Sequence, residues 1–336
     1  MKLQGRLCCG PVILYMIGVT LMNIVLLESL GIPDSLLNEC AKPLIEAGHS
    51  FTAYPKSTDP NVQIQQAAEA DVIMIANMPL SGQVISACEH LKFIDIAFTG
   101  VDHVDLEAAK AKGIKVSNAA GYSTEAVAEL TLCMMLSLLR NVPQVEARCR
   151  EGKTKDGLVG CELMGKTVGI IGAGTIGTRV GKLCDAFGCK VLGYKRGLTG
   201  NEPSFMEFVT LDELLSRSHI VSLHCPLTED TRHLINKDTI AKMKKGAYLI
   251  NAARGPVVDS QALANALNEE YLSGAGIDVF ETEPPLDTSH PLLHSKNTLV
   301  TPHVAFSSAE SMETRARIVF DNISKWLEGR QTNVIL

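Results

Sequence analysis

Arg254, Glu283 and His303 each stand just beyond a short apolar run, and each brings a different chemical capacity. His303, in Thr301-Pro302-His303, carries an imidazole that titrates near neutral pH, able to give a proton to a carbonyl being reduced and to take one back in reverse. Arg254, in Asn251-Ala252-Ala253-Arg254-Gly255, offers a planar, permanently charged fork suited to a carboxylate, and its charge can polarise an adjacent carbonyl. A single arginine more often makes a surface ion pair, and spacing alone does not single out His303 among nine histidines. Glu283 could hold the second ring nitrogen of His303, fixing its tautomer and stabilising the imidazolium form. Glu281 competes for that role, and periodicity does not choose between them.

Such groups need a frame that aims them at one point. Gly172-Ala173-Gly174-Thr175-Ile176-Gly177 follows an apolar run, 167–171, and opens a helix-like segment, 175–187. In that order the first glycine permits the tight turn, the second lets backbone N–H groups approach a pyrophosphate, and the third lets helix and strand pack closely. The helix N-terminus then faces the anion. Alone, the hexapeptide is as readily an ordinary glycine-rich loop; its setting points to a dinucleotide.

Around the loop, short apolar runs alternate with helical patterns, which predicts an α/β chain with mainly parallel sheets. A first series places strands at 24–27, 72–75, 93–97 and 114–116, with helices such as 35–47 and 106–111 between them. A second places six strands at 168–171, 190–194, 220–223, 247–251, 274–277 and 298–300, enough for a complete doubly wound fold. The segment 124–139 is apolar nearly all round, which predicts burial on several faces and a role in linking domains or pairing subunits. The segment 307–328 reads as a helix whose apolar face, with Ile318, Val319, Ile323, Trp326 and Leu327, can return to the first domain. Domains joined in this way should enclose a cleft.

Composition narrows the function classes. The 336 residues suffice for two domains, and 46% hydrophobic with 20% charged residues is ordinary for a globular protein. A formal charge of -6 and no basic tract longer than 242–245 argue against a nucleic-acid partner. The ten cysteines are scattered without a Cys-x-x-Cys and the histidines join no cysteine ladder, so we expect free thiols and no metal. Lys2 and Arg6 precede an apolar stretch, 7–21, that superficially resembles a secretory leader. It falls short of the roughly 20 residues a membrane span needs, and Gly10-Pro11 interrupts it. We therefore read 1–21 as an extension upstream of a domain that starts at Met22, with no membrane association and a cytoplasmic location.

Five motifs in order resemble the D-isomer-specific 2-hydroxyacid dehydrogenase family over roughly Met22 to the C-terminus. They are Gly172-x-Gly174-x-x-Gly177, His224-Cys225-Pro226-Leu227, Asn251-Ala252-Ala253-Arg254-Gly255-Pro256-Val257-Val258-Asp259, Asp278-Val279-Phe280-Glu281-x-Glu283-Pro284 and Thr301-Pro302-His303. The resemblance implies NAD(P)-dependent hydride transfer to or from a small 2-oxo or 2-hydroxy acid, with Arg254, Glu283 and His303 as the catalytic trio. Glu283 is preferred to Glu281 because it fills the family's second acidic position; formate dehydrogenases carry Gln there, which speaks against formate. A Rossmann doubly wound domain over 123–306 is implied, with a smaller flavodoxin-like substrate domain built from 22–122 and 307–336. A homodimer around 124–139 is implied as well. Cofactor contacts fall by resemblance on Thr99, Gly172, Gly174, Thr175, Ile176, Gly177, Cys225, Pro226, Thr231, Ala252, Ala253, Arg254, Asp278 and His303. Substrate contacts fall on Arg254 and on Ala76-Asn77-Met78, whose backbone N–H groups would hold the carboxylate.

The chain departs from its relatives in two places. Where NAD-specific members put an Asp for the ribose hydroxyls, it has Tyr194-Lys195-Arg196; a Lys-Arg pair attracts a 2′-phosphate, which predicts NADP over NAD. The alternative is that Lys195 and Arg196 point into solvent and NAD is used loosely. Phosphoglycerate dehydrogenases resemble the chain over the same length, yet their substrate-side arginines fall at Ile75 and Ile96, leaving a phosphate without charge-assisted partners. We expect an unphosphorylated acid such as glyoxylate or hydroxypyruvate, in a pocket made more apolar by Met78 and Phe98. A nucleotide-sensing corepressor would keep the same trio, but usually with a disordered tail or peptide groove that this sequence does not display. A Rossmann hydrolase using bound NAD would need motifs that are not found.

Overall fold

A short run of apolar residues between two helices is best satisfied as a parallel strand buried on both faces. The computed structural model describes residues 20–198 and 200–336, so all but the end of the expected 1–21 extension lies outside the described residues. It contains two sheets whose strand pairings are all parallel. The first comprises β1 (Asn23–Leu26), β2 (Ser50–Ala53), β3 (Val72–Ile75), β4 (Phe93–Ile96) and β5 (Lys115–Asn118), in the order β2-β1-β3-β4-β5. This is the flavodoxin-like order, and β3 and β4 at its centre are buried throughout.

The second sheet comprises β6 (Thr167–Ile171), β7 (Lys190–Tyr194), β8 (Met206–Phe208), β9 (Ile220–Leu223), β10 (Tyr248–Asn251), β11 (Gly274–Ile277) and β12 (Thr298–Val300). Its order, β12-β11-β10-β9-β6-β7-β8, is the Rossmann arrangement with one strand added at the β12 edge. The chain reverses direction across the sheet between β6 and β9, where such folds open a ligand crevice. Six strands were expected here and seven are present; β8 is the one without a sequence signal. β2 was missed likewise. Both are edge strands, one largely exposed along Ser-Phe-Thr-Ala and the other only three residues long.

The helix Ala309–Leu327 packs on the first sheet, contributing Ala316, Val319, Phe320 and Ile323 to its core, and Trp326 stacks on Phe93 at 4.8 Å. A polar key fixes it: buried Asn322 donates to Asp95 Oδ1 and to the Asn118 carbonyl, each at 3.0 Å. Burial pushes the Asp95 carboxyl well above the usual carboxylate range, and the Asn322 hydrogen bond offsets this only in part. The helix Thr124–Leu139 lies along the helix Thr175–Ala186 and buries Met134, Met135, Leu138 and Leu139. Its opposite side, with Leu132, Cys133 and Leu136, forms a shallow depression with Val142 and Val145. Among the described residues no single helix is long and apolar enough to cross a membrane.

Candidate active site

The glycine loop is built by two demands of packing and one vacancy. Gly172 has φ +94°, and a Cβ there would lie 2.5 Å from the Cys225 nitrogen; a Cβ on Gly177 would lie 2.3 Å from the Gly172 carbonyl oxygen. At Gly174 a Cβ would meet nothing within 4 Å, so the protein itself does not require that glycine. The helix Thr175–Ala186 starts there without a side-chain cap, so its first amides face the open space. Open space at a glycine beside uncapped amides fits the pyrophosphate of a dinucleotide.

That space belongs to a cleft of about 340 Å³ between the two sheets. From the second sheet it is lined by Gly174, Thr175, Ile176, His224, Cys225, Pro226, Ala252, Ala253, Arg254, Asp278 and His303, and from the first by Phe98, Thr99, Gly100 and Tyr122. Phe306, after the His303 loop, completes the wall.

His303 occupies the left-handed region, φ +55°, and its N–H donates to the Asp278 carbonyl at 2.7 Å. The buried Asp278 carboxylate accepts from Thr301 Oγ1 at 2.5 Å and from the amides of Val304 and Ala305 at 2.9 Å. Burial pushes the Asp278 carboxyl up, and these hydrogen bonds offset it in part. Asp278, expected as a cofactor contact, thus borders the cleft while its carboxylate organises the turn that carries His303. The His303 Nδ1 donates to Glu283, 2.8 Å from Oε2, while Nε2 makes no hydrogen bond among the described residues. The edges of Phe98 and Phe306, at 5.6 and 5.4 Å between centroids, hold the ring. Burial would raise the Glu283 carboxyl, but the bond to His303 and the charges of His303, Arg254 and Lys56 outweigh it and hold it below the usual range. Glu281 lies elsewhere, 3.0 Å from His290 Nε2.

Asn251 shapes the loop that carries Arg254, accepting from the Ala253 amide at 3.1 Å and donating to the Arg254 carbonyl at 3.0 Å. A Cβ on Gly255 would lie 1.9 Å from the Phe280 carbonyl, so only glycine allows this loop to dock there. The Arg254 side chain reaches across the cleft to Asp102, 3.1 Å from both Nε and Nη2, and Nη1 donates to the Ala253 carbonyl at 2.8 Å.

Several expected contacts are placed differently. Ala76 and Met78 are buried, and their amides both donate to Oε1 of buried Glu28 at 2.8 Å. They have no donor left for a substrate, and neither they nor Asn77 line the cleft. The amides that line the cleft without a hydrogen bond among the described residues are one strand over, at Thr99 and Gly100. Met78 sits in the first core, so of the two expected apolar residues only Phe98 faces the cleft. Thr231 Oγ1 donates to the Pro226 carbonyl and accepts from the Thr228 amide, both at 2.7 Å, bracing the loop rather than facing a ligand. Lys195 and Arg196 follow β7 beside the glycine loop, where the Gly172 amide donates to the Tyr194 carbonyl at 2.9 Å. Lys195 is half-buried and pairs with Glu202 at 2.8 Å, whereas Arg196 is largely exposed and pairs with an equally exposed Asp230 at 2.7 Å. His290 and His294 stand four residues apart, a ligand-like spacing, but their Nε2 atoms go to Glu281 and to the Thr288 carbonyl.

Reading residues along strand ends missed Tyr122 and Phe306 in the cleft wall, Asp102 bound to Arg254, and Glu28 beneath the 76–78 loop. Gly100 was the available signal for Asp102, since a glycine two residues from a carboxylate beyond a buried strand invites close approach.

The family model for the D-isomer specific 2-hydroxyacid dehydrogenase, NAD binding domain, matches residues 132–305. A hydroxypyruvate reductase of Blautia hydrogenotrophica is 36% identical over 288 residues, covering 83% of this chain and 88% of its own. A D-3-phosphoglycerate dehydrogenase of Methanocaldococcus jannaschii is 39% identical over 303 residues, 89% of this chain but 57% of that longer protein. Among solved structures, an acyclic imino acid reductase in complex with NADPH and D-Arg superposes with a TM-score of 0.85 at 28% identity, covering 94% of this chain and 100% of that one.

Proposed function

The chain belongs to the D-isomer-specific 2-hydroxyacid dehydrogenase family, an NAD(P)-dependent oxidoreductase of small 2-oxo and 2-hydroxy acids, and we propose the following division of labour in its cleft. A bound nicotinamide supplies or accepts the hydride. His303 gives the proton to the reduced oxygen from Nε2, and Glu283 stabilises the charged ring through Nδ1. Arg254 anchors the carboxylate, together with the free amides of Thr99 and Gly100, and stabilises negative charge growing on the oxo oxygen. The observation that carries this reading is the open nitrogen of a carboxylate-bound imidazole in the same cleft as an arginine fork and an uncapped glycine loop.

We favour an unphosphorylated substrate, because Ile75 and Ile96 are fully buried and bring no charge to meet a phosphate. NADP preference falls mainly to Arg196: its pair with Asp230 is exposed, such pairs are weak, and a 2′-phosphate can take the guanidinium over. The half-exposed apolar side of the helix Thr124–Leu139 supports a homodimer seated there. Residues 22–122 with 307–336 form the substrate unit, supported by the shared core, and 123–306 the cofactor unit. Eight described cysteines are free, which favours a reducing, cytoplasmic setting.

Oxidation of NADPH and NADH against a panel of 2-oxo acids tests the proposal. Turnover of hydroxypyruvate or glyoxylate, faster than of a phosphorylated analogue, is expected; absence of any 2-oxo acid turnover would refute it. Arg196→Ala should lower kcat/KM for NADPH about tenfold and leave NADH within twofold. Equal losses with both cofactors would remove Arg196 as the discriminator.

A further inference from the structure

We infer that Asp102 is the positioning residue of the substrate anchor: from the loop that follows β4 it takes the Nε side of the Arg254 guanidinium and leaves one proton on each Nη for the substrate carboxylate. The inference rests on the functional reading above and deepens it. A guanidinium has five N–H donors. Asp102 Oδ1 accepts from Nε and from Nη2, both at 3.1 Å, and the Ala253 carbonyl accepts from Nη1 at 2.8 Å. One proton on Nη1 and one on Nη2 are left, a pair able to meet both oxygens of one carboxylate.

The contact spans the molecule. Asp102 lies in the loop after β4 of the first sheet, and Arg254 in the loop after β10 of the second. A Cβ on Gly100 would come within 1.5 Å of Arg254 Nη2, so the guanidinium rests directly against the backbone of the loop whose Thr99 and Gly100 amides are free. The same approach that orients the fork therefore sets it beside those amides. The anion site is complete only when the two sheets meet.

Electrostatics alone would argue against an acid here, since a carboxylate near the anchor repels an anionic substrate. Burial would also raise the Asp102 carboxyl, yet the charge and hydrogen bonds of Arg254 hold it below the usual range, so it is ionised at neutral pH. Its value to the enzyme is geometric: an arginine side chain is flexible, and an aimed fork retains more of its binding energy.

The test uses the full-length enzyme, NADPH and hydroxypyruvate. Wild-type turnover is the precondition; without it the functional reading fails, whatever Asp102 does. With an active wild type, Asp102→Ala should raise KM for the oxo acid at least tenfold, lower kcat less, and leave the Kd for NADPH, read by fluorescence titration, within twofold. Asp102→Asn, which keeps an acceptor in place, should recover KM to within about threefold of wild type. In an Arg254→Ala background, Asp102→Ala should change the residual rate by less than twofold, because no fork remains to aim. KM within twofold of wild type in Asp102→Ala, or the same loss with and without Arg254, overturns the inference. Should Asp102→Ala fail to fold, Gly100→Ala carries the test: displacing the guanidinium must raise KM tenfold, and an unchanged KM overturns the inference.

Discussion

Two glutamate–histidine pairs hang from one short loop, Glu281 with His290 and Glu283 with His303, and only the second borders the cleft. The partners match in type and in distance, 3.0 and 2.8 Å. They differ in what the imidazole has left. His290 accepts the Leu292 amide on Nδ1 at 3.3 Å, opening the turn Pro291–Leu293, and spends Nε2 on Glu281, with its ring against Phe280 at 5.1 Å. His303 spends Nδ1 on Glu283 and keeps Nε2 for the cleft. A carboxylate beside an imidazole is thus a common structural device; an unspent nitrogen facing a ligand space is what turns it toward proton transfer.

The largest expected effect breaks or keeps this distinction outright. His303→Asn should lower kcat/KM in reduction by about 10²–10⁴, the usual worth of a positioned general acid, with NADPH binding retained. His290→Asn should leave kcat/KM within about threefold and cost ~1 kcal/mol of stability for its lost hydrogen bonds, read by urea denaturation. Comparable kinetic losses in both would mean that the spare nitrogen is not the discriminator.

The carboxylates come next. Glu283→Gln should lower kcat about 10–100-fold, as loss of a histidine's orienting partner does elsewhere, while Glu281→Gln should act on stability rather than on rate. The pH dependence has a definite sign. The Glu283 carboxyl is lowered from its ordinary 4.5 in the folded protein, so its pair contributes fully above that value and is lost only as pH falls through the lower, folded one. Stability measured against pH should show this acid-side loss in wild type and less of it in Glu283→Gln.

The same contrast marks what could be read in the sequence. Interior strands such as β3 announce themselves because burial on both faces demands apolar residues, and β4 keeps that signal although Asp95 interrupts it. β2 and β8 do not, because an edge strand of mixed or minimal length need satisfy no such pattern. The glycine loop, Arg254 and His303 could be located because ligands gather where parallel strands end. The destination of each hydrogen bond could not. Glu28 follows an apolar run like any surface acid, yet it is buried and consumes two of the three amides expected to hold the substrate, those of Ala76 and Met78. Likewise nothing local distinguishes Thr231, turned inward to brace its loop, from a threonine facing a cofactor. Which donors stay free is a tertiary fact.

A third imidazole sharpens the comparison from the other side. His224 lines the cleft and shares a hydrogen bond with Ser222 through Nε2 at 2.9 Å; among the described residues its buried Nδ1 has no hydrogen-bond partner and no carboxylate pairs with the ring. Burial pushes its value down from 6.5 to about 4, so the ring is neutral at physiological pH and has no extra proton to give. His224→Gln should therefore leave reduction within about tenfold of wild type, far above His303→Asn. Its larger signature is thermodynamic. Between pH 6.5 and about 4 the unfolded chain takes up a proton that the folded chain refuses, so stability falls as pH drops through that window, by at most ~3 kcal/mol. Urea denaturation at several pH values should show a shallower acid-side slope in His224→Gln than in wild type. An unchanged slope would mean that the refusal lies in another group, and that burial in the cleft wall is not by itself enough to keep this imidazole neutral.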